Sequence, residues 1–306
     1  MGWLVFTLFF ISGACGLIYE VVWSRMMMLI FGRSVLAVGT VLAAFMSGIA
    51  LGSYLLGKYA DRSRNPLRLY AVYEVGAGLA AFISSFLLIR ITPVYVWVHA
   101  TFGESPLEFA VVRYFIAFSL LIVPTVLMGA TLPILSRVIV TRVARVGREL
   151  GSLYAINTVG AVAGSLAAGF YLIGRLGLHG AVDVAVFGNL AVGIMAWFAS
   201  TRPGFVNIPA VTSSSAPATP AAVSRSADAQ ARRRYRIALW AFALSGLSSF
   251  AYEIFWTRSL VFLLGNTTYA FTLMLTAFLL GIALGDMRPL DGSSARISYQ
   301  SGDLSV

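Results

Sequence analysis

The sequence predicts an all-α protein: a polytopic bundle of transmembrane helices. Three observations carry that expectation. Hydrophobic residues make up 59% of the 306 residues and charged ones 11%, with a mean hydropathy of +0.85. A soluble domain carries about 25% charged residues, so too few charges are present to cover such a core in water. Apolar runs of the roughly 20 residues that cross a bilayer recur along the chain. Basic residues gather in clusters between alternate runs. The net charge of +10 therefore reads as membrane orientation rather than nucleic-acid binding.

Eight spans follow in order, near 3–23, 35–57, 69–90, 109–136, 151–174, 180–199, 237–258 and 268–285. The first could pass for the apolar core of a signal peptide. It lacks a basic leader and runs on too long, so a retained helix is expected. The connection after the second span holds Lys58, Arg62, Arg64 and Arg68. The one after the fourth holds Arg137, Arg142, Arg145 and Arg148. The one after the sixth holds Arg225, Arg232, Arg233, Arg234 and Arg236. The other connections are poorer in arginine. The positive-inside tendency then puts the N-terminus and the even connections in the cytoplasm of a plasma (inner) membrane. Residues 201–236 are Ala-, Ser- and Pro-rich and end in a basic cluster, the composition of a disordered linker. The expected organisation is a six-helix bundle over 1–200, the linker 201–236, two helices over 237–285 and a polar tail over 286–306.

The most specific feature is an internal repeat at a spacing of 233 residues. Residues 12–52 and 245–285 align without a gap, identical at 16 of 41 positions. Tyr19, Glu20, Trp23 and Arg25 match Tyr252, Glu253, Trp256 and Arg258, and Gly48 to Gly52 recur as Gly281 to Gly285. Six spans separate the copies, an even number, so both cross in the same direction. Parallel six-helix repeats are how major facilitator transporters are built. Residues 57–64, Gly-Lys-Tyr-Ala-Asp-Arg-Ser-Arg, also resemble that superfamily's loop between its second and third helices. The resemblance makes Asp61, Arg62 and Arg64 a cytoplasmic lock, although Ser63 stands where that loop usually has glycine. The sequence thus reads as a major facilitator-like half plus the first two helices of a parallel second repeat.

Three polar-containing motifs narrow the resemblance. Ser12 to Arg25, Pro124 to Pro133 and Gly151 to Ala161 are similar to the membrane region of the fused transporter–spermidine synthase family. In that family a facilitator-like bundle precedes a soluble aminopropyltransferase domain. The resemblance covers roughly residues 4–200 and 237–285. It departs in one respect: no strand followed by a Gly-rich nucleoside loop occurs. Gly76-Ala-Gly78-Leu-Ala-Ala81 lies inside an apolar run and reads as helix packing. The second copy stays in register to Gly285 and then loses its apolar character, the pattern expected of a truncation or frame change.

Residues that could carry chemistry are few. One cysteine, Cys15, and two distant histidines, His99 and His179, give no basis for a disulfide or a metal site. No catalytic residue and no cofactor are expected. Glu20 and Glu253 are the sharpest candidates, because a charge inside a span is costly. Counted from Trp3 and Ile237, they lie about 26 and 24 Å along their helices, near the outer interface. Two readings stay open for the eight repeated polar residues. One is an inter-half lock or interface anchor, each glutamate meeting the other copy's arginine; the other is an intramembrane ligand or proton site. Glu74 is a lesser candidate, placed near the cytoplasmic side. Gly48, Gly52, Gly160 and Gly164 read as helix-packing positions.

The family resemblance implies a membrane-embedded, itself non-catalytic region of a spermidine synthase-like protein. The alternative from the residues is a facilitator-type transporter of a small cationic, polyamine-like solute. Expected partners are the lipid bilayer and either a soluble spermidine synthase domain or such a solute, with no nucleic acid.

Overall fold

The computed structural model describes residues 2–31, 35–91, 93, 96–97, 100, 106–139, 146–202, 225–265 and 267–286. Among them the regular elements are helical. They are α1 (Gly2–Phe31), α2 (Val35–Arg62), α3 (Pro66–Arg90), α4 (Pro106–Gly129), α5 (Thr131–Ile139), α6 (Val146–Ala167), α7 (Ile173–Ala199), α8 (Arg225–Leu264) and α9 (Thr267–Asp286). A short π-helix, Ala168–Leu172, joins α6 to α7. Seven helical stretches are long and apolar enough to cross a membrane. One of these, Gly147–Ala199, holds 53 residues, or about 80 Å of helix, enough for two crossings of a roughly 30 Å hydrocarbon layer. Gly177, with φ 71°, interrupts it. Only glycine adopts that backbone cheaply.

Two buried clusters fix the direction of each helix. One gathers Val5 and Leu8 of α1, Ala60 of α2, Leu67 and Tyr70 of α3, Ile134 of α5, Leu153 of α6 and Val192 to Ala199 of α7. The other gathers Tyr19 to Met28, Val41 to Phe45, Leu88, Leu121, Leu172 and Val182. Each helix of the first six passes thus has one end in each cluster, and successive passes alternate. The basic residues Lys58, Arg62, Arg64, Arg68, Arg137 and Arg148 all fall at the Val5 end. α9 runs antiparallel to α6: Ser165 meets Thr276 at 3.2 Å and Phe170 stacks on Tyr269. α8, joined to α9 by a tight turn, therefore runs parallel to α1.

The glycine expectation holds in detail. A Cβ at Gly48 or Gly52 would overlap Thr125 or the Val126 carbonyl of α4, and one at Gly160 or Gly164 would overlap the Phe10 or Ala14 carbonyl of α1. In lipid, helix association depends on such close packing because burial from water no longer drives it. Ser53 adds a hydrogen bond across the α2–α4 contact, donating to the Gly129 carbonyl at 2.6 Å. Gly76 and Gly78 likewise meet Leu127 and Asn189, as helix packing requires.

The helices outrun their expected bounds. α1 continues eight residues past 23, to Phe31, and α3 starts at Pro66, where Asn65 caps it by accepting from the Arg68 amide. Asn and Pro favour the cap and first helical positions for these reasons. The fourth pass is broken at Ala130 into α4 and α5. Pro124, inside α4, removes one backbone donor six residues earlier. Residues 225–236, assigned by composition to the linker, are helical and open α8. Their arginines and alanines are good helix formers. Residues 203–224 of the linker and 287–306 of the tail lie outside the described residues.

Candidate functional site

Lengthening α1 moves Glu20 inward. It lies about 7 Å from the middle of the span Gly2–Leu29, and Glu253 about 8 Å from the middle of Arg232–Leu264. Glu20 is thus nearer the middle of its helix than the span 3–23 put it, while Glu253 keeps much the same place relative to the middle of its own.

The two glutamates line the same cavity, of about 270 Å³, between α1, α2, α4, α5, α6, α8 and α9. Glu20 is 1% exposed and Glu253 5%. They are near enough to interact electrostatically, and Oε1 of each has no hydrogen-bond partner. The two copies' carboxylates thus share one cavity, each with an oxygen left without a donor. Arg258 is exposed, and Arg25 is half-buried with contacts of its own. An isolated buried carboxylate is costly, and two side by side are more so. A cation or protons in the cavity remove that cost.

The wall is built from the three motifs that stood out in the sequence. The first supplies Ser12, Gly13, Gly16 and Glu20; the second Met128, Gly129, Thr131 and Leu132; the third Tyr154, Asn157, Thr158 and Ala161. No lysine, arginine or histidine is among the described lining residues. The volume corresponds to about nine waters, room for a small solute only.

The other members of the repeated signature part company. Tyr19 and Trp23 are fully buried and stacked at 5.2 Å. Trp23 Nε1 donates to Ser85 at 2.8 Å and Tyr19 donates to Asn189 at 3.0 Å. Tyr252 and Trp256 are 63% and 55% exposed. Of the cytoplasmic lock residues, Arg62 ends α2 and Arg64 follows it, both exposed. The Asp61 side chain lies outside the described residues. Arg137 of α5 holds this corner, donating to the Ala60 and Ser63 carbonyls and satisfying carbonyls at the C-terminus of α2.

One group is more central than its sequence position suggested. Glu74 lies about 5 Å from the middle of Pro66–Leu88 and is 1% exposed. Ser12 donates to its Oε1 at 2.5 Å and Asn189 to its Oε2 at 2.6 Å. The signal was present, an acidic residue inside an apolar run. Starting the third span at 69 rather than 66 hid its depth. Asn189, a lone amide in the sixth span, was the unread partner.

The described residues hold no cluster of three or more His, Cys, Asp or Glu suited to a metal. No family model, curated protein or solved structure matches the chain.

Proposed function

We propose that this chain is a carrier-type protein of the plasma (inner) membrane that binds a small organic cation of the polyamine class between Glu20 and Glu253. The single observation that carries this reading is the convergence of all three polar motifs and both repeated glutamates on one cavity without a basic lining residue. A protonated amine offers several N–H donors to carboxylates whose Oε1 atoms have no partner. One carboxylate comes from each repeat, the arrangement expected of a facilitator-like solute site at a repeat interface. The basic end of the bundle, carrying the N-terminus and the linker, faces the cytoplasm in this reading.

The family resemblance supplies ancestry. The chain is read as the membrane-embedded, non-catalytic region of a spermidine synthase-like protein. That reading is compatible with the carrier reading, because the resembling motifs form the cavity wall rather than a nucleotide loop.

Uptake of labelled spermidine into proteoliposomes holding the purified chain tests the proposal. Glu20→Gln and Glu253→Gln should each lower uptake roughly a hundredfold, as loss of one partner of a buried charge pair does. Wild-type-level uptake by both variants, at normal membrane yield, would sink it.

A further inference from the structure

Glu74 is not among the residues lining the cavity of Glu20 and Glu253 and takes no part in the proposed cation site, yet both of its oxygens accept hydrogen bonds. We infer that Glu74 is a proton-binding site behind the cavity wall, linked to the cavity through the Ser12 hydroxyl, so that its protonation opposes cation binding. The coupling rests on the cation site proposed above; the proton site does not.

Its surroundings are polar but uncharged. From α1 it is faced by Ser12, Cys15 and Tyr19, from α3 by Tyr70 and from α7 by Asn189. Among the described side chains, no charged group of α4 or α5, the other helices packed on α3, is among those that act on it, and neither are Glu20 and Glu253. Among the described residues no arginine or lysine acts on it. Each oxygen accepts one hydrogen bond, from Ser12 and from Asn189, and neither donor carries a charge. Proton uptake is the remaining way to remove the charge.

The link is a single atom. Ser12 Oγ donates to Glu74 Oε1, and Ser12 is also among the residues that line the cavity. A hydroxyl has one donor and two acceptor positions. While Glu74 is ionised, the Ser12 proton points at Oε1 and its lone pairs are left for the cavity, where they accept from an ammonium. When a proton arrives from cavity water, Ser12 Oγ accepts it and passes its own to Oε1. Ser12 ends with one proton, as it began, and Glu74 is neutral. The new Oε1–H then donates back to Ser12 Oγ, whose own O–H turns into the cavity. The wall has changed from acceptor to donor at that point, and a negative charge behind it is gone. Both changes disfavour a cation. Binding a cation therefore expels the Glu74 proton, and the two ligands exchange.

Two measurements on the full chain in lipid nanodiscs test this. The first is the infrared difference spectrum on acidification, read at the carbonyl band of a protonated carboxylic acid. Wild type and Ser12→Ala should show a band that Glu74→Gln lacks. An unchanged band set in Glu74→Gln overturns the proton site, whether or not any solute binds. The second is the Kd for labelled spermidine across pH 5–9. Across the titration of Glu74 the wild-type Kd should weaken by up to about tenfold per pH unit of acidification, the slope of one exchanged proton. Glu74→Gln should bind about tenfold more weakly than wild type at high pH and lose one proton from that slope. Ser12→Ala should flatten the slope while keeping the infrared band, and it serves as the test if Glu74→Gln does not fold. A wild-type slope in both variants overturns the coupling. A wild type that binds no spermidine overturns the cation site and the coupling with it, leaving the infrared result to decide the proton site alone.

Discussion

The two copies of the repeat share a sequence and differ in surroundings. In the first, Tyr19 and Trp23 are enclosed by α3 and α7, through Ser85 and Asn189. In the second, Tyr252 and Trp256 are exposed, whereas Glu253 is buried and lines the cavity. The glycines divide the same way. A Cβ at Gly48 or Gly52 would strike α4, whereas nothing lies within 4 Å of Gly281 or Gly285. A repeated motif thus fixes which residue types recur, and the helices packed around it decide what each does. The glutamate keeps its surroundings in both copies because the copies meet there.

That contrast can be broken in several ways. The largest effect is expected from the carboxylates. If Glu20 and Glu253 act on one cation, the double Gln variant should take up spermidine little worse than either single variant, which is each reduced roughly a hundredfold. Additive losses in a double-mutant cycle would show two independent sites. Next is Trp23→Ala, which empties a fully buried site and strands Ser85. It should cost about 3 kcal/mol in a reversible detergent unfolding titration, against less than about 0.5 kcal/mol for Trp256→Ala. Equal costs would mean that the second copy's aromatic face is covered as the first one is. Gly52→Val should cost about 1–3 kcal/mol by the same titration, since it drives a side chain into the α4 backbone. Gly285→Val should be near neutral. The smallest effect is Tyr19→Phe, which removes one hydrogen bond to Asn189 and should cost about 1 kcal/mol, while Tyr252→Phe should change nothing measurable.

Much of this fold is legible in the sequence because lipid imposes a simple rule: each crossing must satisfy its own backbone hydrogen bonds over about 20 apolar residues. The alternating direction of passes and the parallel repeat follow from that rule and from counting. Helix ends are less legible. The first span was expected to end near 23, yet Met26 to Met28 are buried in the bundle and α1 runs on to Phe31. That shift is what moved Glu20 from the rim toward the middle. The Glu74–Asn189–Ser12 group was illegible for another reason. Its members are 62 and 115 residues apart, and no spacing within one helix links them. The pairing of Glu20 with Glu253 was half legible. The repeat singled out both, but opposite charges suggested arginine partners, and the packing of α9 on α6 decided otherwise.

α8 has one more consequence. It is 40 residues long without a proline, about 60 Å, twice the hydrocarbon thickness of a bilayer. Glu253 and the arginines at 232–234 are on one unbroken rod, with Arg234 about 28 Å from the glutamate. A rod transmits tilt as a lever does. A swing of about 10° pivoting at Glu253 carries Arg234 through about 5 Å, more than half the roughly 8 Å Debye length of physiological salt. An occupant of the space beside Glu253 that tilted the rod would therefore displace positive charge at its far end.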